Sequence, residues 1–361
     1  MERNKRISAS DLIFLSFISE DYSRSGTLRA SMPESIFILL PKSILKVIDT
    51  LIKSRKKKLF GDKIIVIMSP CHILSPVTRI ILRNKIVLDA GWPLTDAFKS
   101  RNTVINFQNC LIFIRSFVTD LICFKSAHYV SLESNQQIEK VIKTFGIKRQ
   151  RLFRSFTGLN EVLFKSRTDI QCPIADICPI CDQSQKPFIF FRGKCNPEAG
   201  VDRLARITKS LAREEVNFVV ASTNLAPEIS FSNKTRVLEQ YLSEPQLAHL
   251  YFGARFSVGQ IGEIDRINFT IPHKAFESAY FKVPYLTRDT RAIRELLVDN
   301  DSALFFNCDG SELESVFKRH IHDEETSKIG ENGNRNYSSI ASQLQIRHQF
   351  LENLNQKLLL Q

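Results

Sequence analysis

Two segments in the second half of the chain combine cations with sequence features that bind phosphate. The first runs from Phe188 to Gly200 and has the pattern of a strand, a turn and the start of a helix, with Arg192, Gly193 and Lys194 in the turn. Open α/β sheets bind ligands beyond the carboxyl ends of their strands. The turn is therefore a candidate phosphate site, although an ordinary strand–helix turn with surface cations has the same pattern.

The second segment runs from Pro272 to Glu277 and has the pattern of a helix start. Proline is favoured in the first turn of a helix, where free N–H groups and the helix dipole attract phosphate. Lys274 adds a cation, and Glu277, three residues later, shares its face. A carboxylate there can accept hydrogen bonds from ribose hydroxyls. By itself, the same pattern also describes a surface lysine–glutamate pair, which is very common.

The elements that would position these segments alternate between strand and helix. Apolar runs at 12–18 and 63–68 are typical of buried parallel strands. The alternation breaks in 168–186 and restarts at Phe188, which predicts parallel sheets with helices on both faces. A length of 361 residues favours two domains. The predicted ranges are 1–167 and 168–340 for the two domains and 341–361 for a C-terminal helix.

The bulk composition limits the partners and the compartment. The net charge of +12 favours anionic partners, which include nucleotides, nucleic acid and an anionic membrane surface. The eight cysteines form no disulfide framework, so we expect a reducing, cytoplasmic setting. Apolar residues at the N-terminus lack a cleavage site and do not predict a signal peptide. The apolar segment 104–124 contains charges and amides, which favour a packed helix over a membrane span.

The basic amphipathic stretch 43–58 is a candidate for peripheral contact with an anionic membrane. A core-facing helix with a solvated basic end is the alternative. A nucleic-acid role would require aromatic residues interleaved with the cations. The phenylalanines instead lie in apolar, strand-like runs, so nucleic acid is not an expected partner.

Cys172, Cys178 and Cys181 have a C-x5-C-x2-C spacing. Zinc would need a fourth ligand, which this spacing does not supply, so we favour free thiols in a linker and predict no metal site. The chain has no G-x-x-x-x-G-K-[ST] and no G-x-G-x-x-G motif. P-loop and ordinary dinucleotide sites therefore lack their glycines.

Taken together, the chain resembles the retaining glycosyltransferases of the GT-B fold, in particular the large family 4, over nearly its whole length. The motifs of that family match in order and spacing. In this sequence they are Phe191-Arg-Gly-Lys194, Leu247-Ala-His-Leu-Tyr-Phe-Gly-Ala254, the Pro-x-Lys-x-x-Glu start at Pro272, Phe281-Lys-Val-Pro-Tyr285, Ile293-Arg-Glu-Leu296 and Asp309-Gly-Ser-Glu-Leu313.

The resemblance implies two Rossmann-like domains facing each other across a cleft, with the C-terminal helix crossing back onto the first domain. The N-terminal domain would face the acceptor, and the C-terminal domain would bind the nucleotide sugar. The implied activity is transfer of a sugar from a nucleotide-diphosphate donor to a glycan, lipid or other envelope acceptor, with retention, without a metal and without a cofactor. It would take place in the cytoplasm, at the inner face of the cell membrane.

The resemblance also implies roles for individual residues. Lys194 matches the basic residue that meets the phosphates, and Glu277 matches the glutamate that holds the ribose; we predict these two as catalytic. Gly26, in a turn after the first strand, matches a loop that approaches the donor. The predicted donor-binding residues are Gly26, Arg192, Gly193, His273, Lys274, Ala275 and Phe276.

Three positions depart from the family pattern. Phe269 stands where the family often has a second glutamate, Ala199 where it often has a second lysine, and Gly91 where a histidine ends a first-domain strand. A second hypothesis is therefore a non-catalytic nucleotide- or glycan-binding relative. A third is a basic nucleic-acid-binding protein.

Overall fold

A computed structural model describes residues 6–19, 23–101, 106–165, 172–182, 186–214, 216–307 and 312–359. The chain forms two compact units, one of Met1–Asn160 with Ser342–Gln361 and one of Glu161–Ala341. The predicted boundary between 167 and 168 lies outside the described residues, as do Cys308 and residues 309–311 of the last family motif.

The first unit contains a six-stranded parallel sheet. Its β1 and β3 are buried along their whole length, as expected for apolar runs in the centre of a parallel sheet. The spatial order is β2-β1-β3-β4-β5-β6. The strands are β1 Leu12–Ser16, β2 Ile36–Leu39, β3 Ile64–Met68, β4 Ile86–Gly91, β5 Tyr129–Leu132 and β6 Leu152–Arg154.

Helices of the first unit connect these strands. Side chains of the sheet, among them Ile13, Ile65 and Leu88, form a single buried cluster with Val47 and Phe124 of the helices. The helices are α1 Ser23–Ser31, α2 Ile44–Lys56, α3 Leu74–Ile81, α4 Leu94–Arg101, α5 Phe107–Ser126 and α6 Asn135–Phe145.

The second unit repeats the architecture with strand order β12-β11-β10-β7-β8-β9. Its strands are β7 Phe188–Arg192, β8 Phe218–Ala221, β9 Thr235–Leu238, β10 Ala254–Val258, β11 Tyr285–Arg288 and β12 Leu304–Phe306. Its helices are α7 Glu161–Lys165, α8 Val201–Ser210, α9 Glu244–Gly253, α10 His273–Tyr280, α11 Leu313–His320 and α12 Thr326–Ile340. The strand pairs in both sheets are parallel, which agrees with the alternation in the sequence.

The last helix, α13 (Gln343–Leu359), belongs to the first unit. Phe350 is fully buried and meets Phe153 of β6 edge to face at 5.4 Å. The Tyr129 hydroxyl of β5 donates to the Lys357 carbonyl at 3.0 Å. Helix α13 therefore packs on the sheet of the first unit.

Several predicted elements differ from the structure. Gly26 does not lie in a turn, because α1 already begins at Ser23 and Gly26 is buried in its first turns. The motif Ile293-Arg-Glu-Leu296 contains a short 3-10 turn at Ile293–Glu295. The C-terminal helix predicted over 341–361 corresponds to α13, Gln343–Leu359.

Helix α5 is long and apolar enough to cross a membrane by length and composition. Asp120, Cys123 and Phe124 on one face are buried. In its most apolar stretch of 18 residues, however, only 17% is buried. Phe117 and Leu121 pack against the core, but Phe107 and Ile114 are exposed in the described part of the unit, so α5 is packed less fully than expected.

Candidate functional site

The two predicted phosphate-binding segments meet at the carboxyl edge of the second sheet. Strand β7 ends at Arg192, and the Arg192 guanidinium binds the Glu277 carboxylate of α10 in a bidentate pair, with N–O distances of 2.6 and 2.5 Å. Glu277 is 1% exposed, whereas the Arg192 side chain is 30% exposed. Such fork geometry is the strongest form of arginine–carboxylate contact, so it fixes α10 against the end of β7.

Two further groups donate to Glu277. The Tyr251 hydroxyl of α9 lies 2.8 Å from Oε2, and His273 Nδ1 lies 2.9 Å from Oε1. Together with Arg192 they fill the roughly four lone-pair positions of a carboxylate. Burial alone would raise the pKa of Glu277, but Arg192, His273 and Tyr251 outweigh that effect and lower the pKa to about 2. Glu277 is therefore ionised and fully hydrogen-bonded within the protein.

Lys274 points into the unit beside the same strand ends. Its ammonium donates to the Gly259 carbonyl after β10 at 2.8 Å and to the Arg192 carbonyl at 3.3 Å. It also lies 4.4 Å from the centre of the Phe191 ring, which adds a cation–π contact. Burial, followed by the charge of Arg192, lowers the pKa of Lys274 to about 7. The group therefore changes its charge near neutral pH.

The turn after β7 contains Lys194, the one exposed cation among the predicted donor-binding and catalytic residues. The Gly193 amide donates to the Ala221 carbonyl at 3.0 Å, which continues the sheet by one bond. A Cβ added at Gly193 would lie 3.6 Å from Lys274 Nζ. Lys194 is exposed, and its ammonium has no hydrogen-bond or ion-pair partner among the described residues. An anion bound at this turn would be near the solvent-exposed Lys194 and near the buried Lys274.

The loop between this turn and α8 packs closely on the loop after β10. A Cβ at Gly262 would lie 1.9 Å from the Pro197 carbonyl oxygen, and Gly200 has a left-handed φ of +68° against Gly262. The Glu198 carboxylate accepts from Arg266 Nη1 at 2.6 and 2.7 Å. The two glycines are required here because any side chain would separate the loops, and the ion pair holds them together.

The remaining predicted residues contribute differently. The Ala275 and Phe276 side chains are fully buried, so only the backbone at the start of α10 could meet a ligand. Ala275 N–H is already bonded to the Pro272 carbonyl at 2.8 Å, whereas helix starts leave their other first N–H groups open. Tyr251 lies in the motif Leu247–Ala254, but the sequence does not predict it as a site residue. Tyr251 is 26 residues from Glu277 in the sequence, so no local sequence pattern indicates that its hydroxyl contacts this carboxylate.

Gly26 belongs to the first unit, where another polar group lies at the carboxyl edge of the sheet. Arg24, two residues earlier, is buried and binds the Asp89 carboxylate of β4 at 2.9 and 2.6 Å. Arg24 also donates to the Ser155 carbonyl at 3.1 Å. Gly91, which stands where the family has a histidine, has a φ of +64°, and a Cβ there would lie 3.2 Å from Arg24 Cδ. The arginine thus covers this position.

The two other departures are also visible. Ala199 is buried in the apolar cluster of the second unit, so this position contributes no cation to the turn. Phe269 follows the 3-10 turn Asp265–Asn268 and is partly buried. In the described part of the chain, the group of His, Cys, Asp and Glu side chains that could share a metal ion lies outside this site.

Known structures share the fold of this chain. No protein-family profile and no curated protein sequence matches it. Sucrose-phosphate synthase from Thermosynechococcus elongatus superimposes with a TM-score of 0.70 at 12% identity, over 97% of this chain and 99% of that chain. Anabaena HepE in complex with UDP-glucose does so with a TM-score of 0.66 at 13% identity, over 96% and 99%. A glycosyltransferase from Rickettsia africae gives 0.64 at 12% identity, over 96% and 98%.

These neighbours are GT-B glycosyltransferases, and the likeness covers nearly the whole of each chain. The predicted α/β fold class of the GT-B type is therefore confirmed, with two parallel six-stranded sheets. At this level of identity the likeness concerns the fold. It does not carry over the sugar, the acceptor or the stereochemistry.

Proposed function

We propose that this protein is a retaining, metal-independent glycosyltransferase that takes a sugar from a nucleoside diphosphate donor bound to the second unit. The observation that carries the proposal is the group at the carboxyl edge of the second sheet. There the start of α10, Gly193, the exposed Lys194 and the buried Lys274 converge. Ligands of open α/β sheets bind at this edge, and the chain has the fold of sugar-nucleotide enzymes.

The cations of this group suit the departing diphosphate. Lys194 has an uncommitted ammonium at the turn, and the helix dipole of α10 adds partial positive charge at its first residues. Lys274 supplies a second cation. The resembled family often has its second lysine at the position of Ala199, which carries no charge. Fixed positive groups aimed at developing negative charge lower the barrier for loss of the diphosphate. The reaction then needs no metal at this site.

We assign Glu277 to the ribose of the donor. The hydrogen bonds that Glu277 already accepts limit how a ribose hydroxyl can bind it. Its carboxylate already accepts four hydrogen bonds, from Arg192, Tyr251 and His273. A ribose hydroxyl can bind only if it takes over one of these positions. We propose that it takes over the position of His273, because Arg192 holds the carboxylate through two bonds and Tyr251 is buried. The His273 side chain lies at the first residue of α10 and is 21% exposed.

A binding and turnover experiment tests the proposal. The purified protein is mixed with UDP-, GDP- and ADP-sugars, since neighbours of this fold were crystallised with UDP, UDP-glucose and ADP. We expect at least one of them to raise the melting temperature and to be hydrolysed slowly or transferred to an added acceptor. No shift with any nucleotide would overturn the proposal. A shift without turnover, under all acceptors tried, would favour a non-catalytic binding protein.

That second function has specific support from three positions. Phe269, Ala199 and Gly91 replace polar residues that the resembled family often has around the donor. Gly91 is covered by Arg24, and Ala199 lies in the apolar core. If these replacements remove the sugar contacts, the cation group still binds the diphosphate. Nucleotide affinity without transfer is the result that would distinguish this case.

We infer further that the first unit contacts an anionic membrane at the cytoplasmic face, which would bring the enzyme to lipid-linked or envelope acceptors. In the predicted stretch 43–58, Val47 and Leu51 face the core, while Leu45 is 75% exposed. Helix α3, which contacts both α2 and α5, exposes 82% of Ile80. Exposed apolar residues beside exposed lysines form a surface that suits an anionic bilayer.

A further inference from the structure

Four potential metal ligands converge in the second unit, and none of them is among the predicted donor-binding residues. The Sγ atoms of Cys172, Cys178 and Cys181 and a ring nitrogen of His249 all lie within 4.8 Å of one another. His249 Nε2 lies 3.3 Å from Cys178 Sγ and 3.6 Å from Cys181 Sγ. The cysteines come from the segment before β7, and the histidine comes from α9. The fold thus supplies the fourth ligand that the cysteine spacing lacked.

The distances fit a tetrahedral zinc ion. Zinc binds thiolate sulfur at about 2.3 Å and imidazole nitrogen at about 2.0–2.1 Å, so a tetrahedron has sulfur–nitrogen edges of about 3.6 Å and sulfur–sulfur edges of about 3.8 Å. The two sulfur–nitrogen distances of 3.3 and 3.6 Å lie close to the first value. The cysteines are free thiols. One ion at the centre could therefore reach all four atoms without a large backbone movement.

The segment that carries the cysteines is irregular, and its Asp176 forms an ion pair with Arg236 of β9. From Cys172 to Asp182 it contains turns and neither helix nor strand. The Cys178 carbonyl accepts from the amides of Cys181 and Asp182 at 3.1 and 3.0 Å. Ile174 and Cys178 are fully buried. Ordering an irregular segment costs backbone conformational entropy, which a metal cross-link to a helix would offset.

We propose that Cys172, Cys178, Cys181 and His249 bind one zinc ion in a closed Cys3His site. Four protein ligands leave no open position, which is typical of a structural rather than a catalytic zinc. The ion ties the segment before β7 to α9. Two residues after His249, Tyr251 on the same helix donates to Glu277. The metal therefore holds the helix that positions a donor-site hydroxyl, and the proposal does not depend on which ligand the donor site binds.

Metal content tests the site directly. The full chain is purified under reducing conditions without added chelator, and its zinc is measured by mass spectrometry. We expect about one zinc ion per chain in the parent protein, and a loss of most of it in Cys178→Ser and in His249→Ala. Cys110→Ser is the matched control, because Cys110 is exposed on α5, and it should keep the full amount. Only trace zinc in the parent protein after reconstitution, or an iron–sulfur cluster instead, would overturn the proposal.

A second measurement on the unmutated protein covers the case in which the variants fail to fold. Maleimide labelling followed by peptide mass spectrometry compares the zinc-loaded protein with protein stripped by a chelator. Zinc should protect Cys172, Cys178 and Cys181 together and leave Cys110 reactive in both samples. Replacement by cobalt should give the intense visible absorption of tetrahedral cobalt–thiolate sites. Equal labelling of the three cysteines with and without metal would contradict the site.

Discussion

At the scale of the residue, the charge of Lys274 depends strongly on its surroundings. Burial beside Arg192 lowers its pKa to about 7, so at about pH 8 the amine is largely neutral in the free protein. A diphosphate near Gly193 favours the ammonium, because opposite charges stabilise each other. Binding of a nucleoside diphosphate should therefore raise the pKa of Lys274.

We therefore predict that nucleoside diphosphate binding takes up a fraction of a proton at about pH 8, where Lys274 is mostly neutral. Affinity should fall as the pH rises above about 7, because more protonation must then accompany binding. Calorimetric titrations in two buffers with different ionisation enthalpies measure this uptake. Lys274→Met should abolish it. An uptake of the same size in that variant would assign the proton to another group.

The same residue gives stability a pH dependence. The ordinary lysine pKa of 10.5 applies to the unfolded chain, and the native pKa is about 7. Between these values the unfolded chain binds more protons than the native one, so stability rises with pH, by at most about 1.4 kcal/mol per unit for one proton. Denaturant unfolding between about pH 7 and 10 should show this slope in the parent protein. Lys274→Met should flatten the slope over that window, and an unchanged slope would contradict the burial argument.

The ribose assignment of Glu277 is tested by a thermodynamic cycle that combines a substitution in the protein with a change in the ligand. Glu277→Ala should weaken nucleotide binding by roughly 1–3 kcal/mol, the cost of a lost charged hydrogen bond. Removal of the ribose 2′-hydroxyl from the ligand should cost the parent protein a similar amount. If the two groups touch, the losses are not additive. The control Glu228→Gln changes an exposed carboxylate. Additive losses would show that Glu277 acts only through Arg192.

At the scale of the element, α9 and α10 are joined through one buried hydroxyl. Tyr251 is 1% exposed and donates to Glu277 at 2.8 Å. Tyr251→Phe keeps the ring, which stacks on Phe281 at 5.3 Å, but leaves a buried carboxylate oxygen with one donor fewer. We predict a loss of about 1.5–3 kcal/mol in unfolding free energy, measured by denaturant titration. Tyr241→Phe, at a tyrosine that is 83% exposed, should change stability little. Equal effects of the two substitutions would refute the assigned role.

The sequence predicted the elements better than the contacts between them. Alternating strand and helix patterns were sufficient for the parallel sheets, because buried strands and amphipathic helices have different periods. Gly26 was misplaced, since a glycine after a strand usually marks a turn, yet here Arg24 anchors α1 to Asp89. Pairings such as Tyr251 with Glu277, or Cys181 with His249, join positions far apart in the chain. Only the tertiary fold brings them together.

At the scale of the whole molecule, charge and apolar surface combine on the first unit. The chain has a net charge of +12, and such a charge draws a protein toward anionic surfaces over about a Debye length. Exposed apolar side chains then decide where it docks. On α5, Phe107 is 78% exposed and Ile114 56% exposed, and on α2, Leu45 is 75% exposed. Lys56, Lys57 and Lys58 are exposed at the end of α2.

We predict that the protein co-sediments with vesicles of mixed neutral and anionic phospholipid, and less so as salt is raised, because each lysine near the surface contributes about 1 kcal/mol by a screened attraction. The double substitution Leu45→Glu, Phe107→Glu should reduce binding at least about tenfold, since burying each of these side chains contributes roughly 1.5–3 kcal/mol. Leu344→Glu on α13, at a leucine that is 72% exposed, adds the same kind of charge elsewhere and should reduce binding much less. Equal co-sedimentation of the double variant and the parent protein would remove the helices α2 and α5 as the membrane-binding surface. Binding that is equally strong on purely neutral vesicles would remove the charge argument.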